Sequence, residues 1–220
     1  MNNQEIIGIC REYVKNNCEI DKSAHDWWHI HRVSSIAKKL NFYEKGNEFV
    51  VQMIALLHDV FDHKFYPDAD IASEITKLLE HLNIKQYINQ YDLDNIIHSI
   101  KNLSFKGGFN QERLSLEGQI TQDADRLDAV GAIAIARTFA YGGRFDRQIY
   151  NPEEGIIEIT SEEQYTKTAR HSINHFYEKL LKLKDLMNTE TAKKVALSRH
   201  QFMEGFLEQF FEEWDGIDVN

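Results

Sequence analysis

Ala55-Leu56-Leu57-His58-Asp59-Val60-Phe61-Asp62-His63-Lys64 is the stretch whose reading decides the fold. Met53, Ile54, Leu56 and Leu57 make an apolar helix that runs straight into a polar, titratable end. His58 and Asp59 set an imidazole and a carboxylate side by side, a pairing suited to a divalent metal. Asp62, His63 and Lys64 follow about one helical turn later and offer an acid/base and a cation that can hold phosphate. A carboxylate buried at the end of an apolar run is costly unless something pairs with it, and a metal would be that partner. Taken alone, the stretch is also met by a helix that ends in ordinary polar loop residues. The rest of the chain shifts the balance.

The 220 residues suit one domain, or one domain with an insertion. Hydrophobic residues at 42% allow a real core, and charged residues at 27% exclude a disordered or membrane-embedded chain. Only 2 Pro interrupt the helical periodicity, so an all-α fold is expected. The net charge of −10 argues against a nucleic-acid polymer as partner, while a local basic patch would still hold a small phosphorylated molecule. No apolar run reaches membrane-spanning length and Met1 to Glu12 has no leader pattern, so a cytoplasmic protein is expected. Cys10 and Cys18 are too few and too close for a disulfide framework.

Outward from the deciding stretch, the spacing predicts a first helix over 3–17 and a second that carries His25, Asp26, His29 and Arg32 to about Phe42, with Asp21 or Ser23 as its cap. His25 and His29 share a face, and Arg32 follows His29 by three residues. Helices are expected over Glu48 to His58, 68–82 and 84–101. His81 and His98 on the last two read as ordinary packed or surface histidines. Residues 102–113 break the periodicity at Gly107-Gly108, and Lys106 and Arg113 make this loop basic. Leu116 to Tyr141 holds Asp123, Asp125 and Asp128 between apolar positions, with Arg126 available to neutralise them. Such carboxylates suit cation ligands or their support, and the helix is expected to end at Gly142-Gly143. An irregular insertion follows over about 142–160, with a hairpin of 148–150 and 156–159. Ser161 and Gln164 suggest a capping box before a helix over 162–186. The last helix, about 190–213, carries Phe202, Phe206, Leu207, Phe210 and Trp214 as its apolar stripe.

His29, His58, Asp59 and Asp125 fall on three separate helices, and two imidazoles with two carboxylates suit Mn, Fe, Zn, Ni or Co better than Ca. This order resembles the HD-domain superfamily of metal-dependent phosphohydrolases. The resemblance rests on His-Asp-x-x-His-x-x-Arg-Val at 25–33, Ala-Leu-Leu-His-Asp at 55–59, Ser-Phe-Lys-Gly-Gly at 104–108 and Asp-Ala-Asp-Arg-Leu-Asp-Ala-x-Gly-Ala-Ile at 123–133. Arg199-His200-Gln-Phe-Met203 extends it to the C-terminal helix, so it covers most of the chain and looks like the small bacterial HD hydrolases.

The resemblance implies a single all-α HD domain over residues 1–220, built around one divalent metal (Mn, Mg, Ni, Co, Fe or Zn). His29, His58, Asp59 and Asp125 are the implied ligands; His29 is preferred to His25 for its spacing to Val33. Related nucleotidases place Glu as catalytic acid/base where this chain has Asp62, with His63 the alternative. Lys64, Arg32, Lys106 and Arg144 are candidates for the phosphates. The expected reaction is hydrolysis of a nucleotide phosphoester or phosphoanhydride, such as a nucleoside triphosphate cut to monophosphate and pyrophosphate. Alternatives are a cyclic-nucleotide or dinucleotide phosphodiesterase, a di-iron oxygenase on the same fold, and a nucleotide sensor that keeps its metal. No membrane partner is expected.

Overall fold

The computed structural model describes residues 1–17, 26–61, 70–104, 112–155 and 171–219. Among them every regular element is helical, and the fold is all-α. The chain divides into two compact units, Met1–Asp125 and Arg126–Asn220.

The first unit is organised around α3 (Glu48–Leu57), in which every residue from Phe49 to Leu57 is buried. A helix buried on every side has to be surrounded, and α1 (Asn3–Asn17), α2 (Trp27–Glu44) and α5 (Gln90–Asn102) pack against it. Ile6, Cys10 and Val14 of α1 and Ile30 of α2 are fully or almost fully buried in this core. α4 (Ile71–His81) lies against α5, and α6 (Leu116–Asp128) carries Ile120 and Ala124 inward.

Caps fix where the helices start. Asn47, Asp70 and Asn89 accept amides of the first turns of α3, α4 and α5. At α2 the cap is Asp26, so that helix begins at Trp27 and continues past Phe42 to Glu44. The caps read from sequence, Asp21 and Ser23, lie outside the described residues, as does His25. The helix expected over 84–101 is split. Lys85–Tyr87 is a single 3₁₀ turn, and Asn89 restarts the chain as a cap.

α6 and the following helix are not one. Gly131, at φ 99°, separates α6 from α7 (Ala132–Arg144), a conformation that side chains with a Cβ rarely adopt. Gly142 and Gly143 then lie inside α7 rather than capping it, and the amide of Phe145 closes its end on the carbonyls of Tyr141 and Gly142.

The second unit holds α7, α8 (Asn174–Glu178), a 3₁₀ segment (Leu180–Leu186) and α9 (Glu190–Asp215). The expected continuous helix over 162–186 is not found in its described part. The amides of Ser172 and Ile173 bond the carbonyls of Gln148 and Ile149 at 2.8 and 3.0 Å, which takes them out of a helical ladder. Residues 148–155 hold a turn at 152–154 and no strand; the other arm of the expected hairpin, 156–159, and the Ser161–Gln164 box lie outside the described residues. Phe176 is fully buried and stacks on Phe206 of α9 with centroids 5.8 Å apart. On α9, Met203 and Leu207 are buried, whereas Phe202 and Trp214 of the expected stripe are about half exposed, at 58% and 49%.

Candidate metal centre

Three helices of the first unit deliver polar side chains to one point. His58 sits at the C-terminal end of α3, where the buried apolar run stops. Its Nδ1 lies 2.9 Å from the carbonyl of Ala55. A carbonyl only accepts, so Nδ1 is the donor in this bond and Nε2 is the nitrogen left to face the cluster. His29 stands in the first turn of α2, and its backbone amide donates to Asp26 Oδ1 at 2.8 Å. The cap therefore fixes the turn that holds this imidazole. Asp125 comes from the last turn of α6, and Asp59 directly follows His58.

The two Nε2 atoms of His29 and His58 face each other at 3.4 Å. Asp59 reaches both rings, with Oδ2 3.3 Å from His29 Nε2 and Oδ1 3.5 Å from His58 Nε2. Asp125 Oδ1 lies 3.4 Å from His29 Nε2 and 3.9 Å from His58 Nε2. Ligand atoms of His29, His58 and Asp125 all fall within 4.8 Å of one another. Metal–ligand bonds of about 2.0–2.2 Å put neighbouring ligand atoms about 2.8–3.6 Å apart; four of the five separations above fall in that range, and the 3.9 Å between Asp125 and His58 would have to close by a few tenths of an ångström around a divalent ion. The burial fits as well. Both histidines are buried, Asp59 is nearly so, and Asp125 is one-third exposed, which leaves an open side.

Burial would raise the carboxyl of Asp125, but the hydrogen bond with His29 and the charges of His58 and His29 outweigh it, against a small opposing push from Asp59. The group is held well below the usual carboxylate range and is anionic at neutral pH. An anionic oxygen beside two imidazole nitrogens is the donor chemistry a transition-metal dication takes.

The other sequence-chosen residues separate into two sets. Arg32 is on α2 one turn beyond His29 and half-buried. Arg144 is exposed at the end of α7, its guanidinium 5.8 Å from the Phe145 ring centroid. Asp62, His63, Lys64 and Lys106 lie outside the described residues. His81 and His98 are exposed, and His98 Nε2 meets the carbonyl of Arg113 at 3.3 Å. Neither belongs to the group with metal-ligand spacing found among the described residues.

The carboxylate run of α6 also divides by role. Asp128, 1% exposed, is bonded at 2.6 Å by Arg137 of α7. Arg126, expected to neutralise the acids, donates from Nη1 to the carbonyl of Leu186. Sequence reading missed Arg137 because the pair crosses the turn at Gly131. It also missed Asp26 as the cap behind His29, although an Asp before a helical run is a recognisable start signal.

Comparison with known proteins agrees with this picture. The family model described as HD domain matches residues 27–130, which include all four candidate ligands. The Bacillus subtilis (strain 168) uncharacterized protein YpgQ is 36% identical over 211 residues, covering 95% of this chain and 94% of that one. A Lactobacillus plantarum crystal structure superposes with a TM-score of 0.85 at 38% identity, over 98% of this chain and 99% of the other. An HD-superfamily hydrolase from Bacillus thuringiensis gives 0.75 at 42% identity, over 97% and 99%. YpgQ in complex with ADP gives 0.76 at 32% identity, over 99% and 100%.

Proposed function

Because this chain belongs to the HD-domain superfamily, we propose that it is a metal-dependent phosphohydrolase acting on a phosphoester or phosphoanhydride bond of a small nucleotide. The observation that carries the reading is the convergence of His29, His58 and Asp125 within 4.8 Å, with Asp59 against both rings. In this reading these four residues hold one divalent ion. When bound, such an ion supplies Lewis-acid polarisation of a phosphoryl group and lowers the pKa of a water.

The chain's own residues do the rest. The two carboxylates offset the charge of a dication, and the Ala55 carbonyl keeps His58 Nε2 free to act as ligand. Asp62, one turn after Asp59 in sequence, takes the proton of the attacking water, with His63 the alternative donor to the leaving group. Lys64 holds a phosphate, and Arg32, Lys106 and Arg144 are further cations for the phosphate chain. Support for a nucleotide comes from YpgQ, which binds ADP in its crystal. The net charge of −10 disfavours a polymer and leaves a small anion. A nucleoside triphosphate cut to monophosphate and pyrophosphate is the leading reaction.

The test is a nucleotide panel run on metal-stripped protein reloaded with Mn²⁺, Mg²⁺, Co²⁺ or Ni²⁺, with phosphate and pyrophosphate release as readouts. Asp59→Ala should lose both metal and turnover. Asp62→Asn should keep the metal and lose about 10²–10⁴-fold in kcat. Metal-loaded protein that turns over nothing on the panel, or Asp59→Ala that retains stoichiometric metal, would refute the reading.

A further inference from the structure

In α3 every residue from Phe49 to Leu57 is buried, and eight of these nine side chains are apolar. Gln52 is the polar exception, 3% exposed. Its amide closes a two-point clamp on Ser34 of α2, itself 1% exposed. Ser34 Oγ donates to Gln52 Oε1 at 2.8 Å, and Gln52 Nε2 donates to the Ser34 carbonyl at 3.1 Å. The Arg11 guanidinium of α1 approaches Ser34 Oγ from a third helix at 3.5 Å.

The clamp ties together the two helices that carry the facing imidazoles. α2 and α3 run antiparallel, since His29 near the start of α2 meets His58 at the end of α3, and Ser34 further along α2 meets Gln52 earlier in α3. Ser34 lies about 7.5 Å along α2 from His29, and Gln52 about 9 Å along α3 from His58. Clamp and imidazole pair are therefore two rungs of one ladder. A one-residue slip of α3 would shift His58 by about 1.5 Å and turn it by about 100°. Metal–ligand bonds tolerate only about 0.2 Å. Val50, Val51, Met53, Ile54, Ala55, Leu56 and Leu57 would keep apolar neighbours after such a slip, so apolar packing discriminates weakly against it. The Gln52 amide would not keep its partners, and a buried amide without partners is heavily penalised.

We propose that Ser34 and Gln52 are positioning residues that set the register of α2 against α3 and thereby bring His29 Nε2 and His58 Nε2 to ligand distance. A single buried polar contact that fixes helix register has precedent in coiled coils. The inference rests on the metal reading above for its functional meaning, but the register itself is open to test without a metal.

The experiment compares wild type with the double variant Ser34→Ala/Gln52→Leu, which removes both partners and leaves no orphaned amide. Two quantities are read: Co²⁺ affinity from its d–d absorption, and the NOE between the His29 and His58 ring protons in metal-free protein. The expected result is a melting temperature at or above wild type, Co²⁺ affinity lower by about tenfold or more, and a ring–ring NOE that is lost or split into several sets. Ser34→Thr, which keeps the hydroxyl, should retain both properties, while Ser34→Ala should weaken Co²⁺ a few-fold; this pair decides the matter if the double variant does not fold. A double variant with wild-type Co²⁺ affinity and a single wild-type NOE overturns the proposal, as does equal Co²⁺ affinity in Ser34→Thr and Ser34→Ala. If wild type binds no Co²⁺, the metal reading fails. The NOE then decides the clamp alone: lost in the double variant it stands, retained it falls.

Discussion

Arg137→Met separates a carboxylate that holds the fold from those that hold a metal. Asp128 follows Asp125 by three residues on α6, and the sequence reads the run that holds both as cation ligands or their support. In the structure Asp128 is 1% exposed and bonded at 2.6 Å by Arg137, whose side chain is 20% exposed. Breaking a buried pair by removing one partner costs up to about 3–5 kcal/mol when the other charge stays buried alone; here Arg199, whose charge also interacts with Asp128, makes that the upper limit. For a chain of this length each kcal/mol shifts the melting temperature by about 2–4 °C. Arg137→Met should therefore lower Tm, by up to roughly 20 °C. Asp128→Leu/Arg137→Met removes the charge together with its partner and should recover most of that loss. Neither variant should change metal affinity, since Asp128 is outside the His29–His58–Asp125 group. The assay is differential scanning fluorimetry beside a Co²⁺ titration. An Arg137→Met protein with wild-type Tm and weakened metal would refute the assignment and place Asp128 in the metal centre.

Gly131→Ala should destabilise by about 1–3 kcal/mol, since it forces a Cβ into a positive-φ position, and that Cβ would meet the Arg199 side chain at 3.2 Å; chemical denaturation measures the loss. Cys10 is buried and its thiol is pushed up to about 12, so in a Cys18→Ser background it should resist a thiol reagent at pH 8 in the native protein and react at once in denaturant. Burial would raise the Glu117 carboxyl, but the Asn47 backbone amide at 2.9 Å and the Asn95 side chain at 3.1 Å outweigh it and hold it below its ordinary 4.5. The sign follows from a folded pKa below the unfolded one: the contribution is full above about pH 4.5 and is lost as pH falls through the folded value. Melting temperatures between about pH 5 and pH 3 should thus fall further for wild type than for Glu117→Gln, and parallel curves would refute the linkage.

The parts of the structure that were legible in the sequence are those whose signals are local. α1 follows from one apolar face at helical spacing, and α3 from a nearly continuous apolar run, because a helix that must be surrounded has a composition that says so. His58 and Asp59 are visible because a histidine and an aspartate at the end of an apolar run are chemically out of place, whereas the choice of His29 over His25 rests on the motif spacing that resembles the HD-domain superfamily. What could not be read depends on partners remote in sequence or on one backbone angle. Nothing in residues 162–186 announces that the amides of Ser172 and Ile173 bond the carbonyls of Gln148 and Ile149 instead of their own helix. Gly131 sits among alanines and reads as a small packing residue until its φ of 99° shows a break. Ser34 and Gln52, eighteen positions apart, each look like a polar residue on the solvent side of a helix.

The site shows the same division at the level of single atoms. The dipeptide His58-Asp59 names an imidazole and a carboxylate, but it leaves both ring nitrogens equal candidates to bind a cation. The Ala55 carbonyl at 2.9 Å removes that equality by accepting a hydrogen bond from Nδ1–H. Nε2 is then the nitrogen that faces His29 and both carboxylates. The three-residue offset that makes this bond possible is a property of the helix, since positions i and i+3 share a face and the last carbonyls lack amide partners. The end of α3 is therefore where a buried helix can orient an imidazole, and the carboxylate of Asp59 enters beside it on the first residue free of the helix.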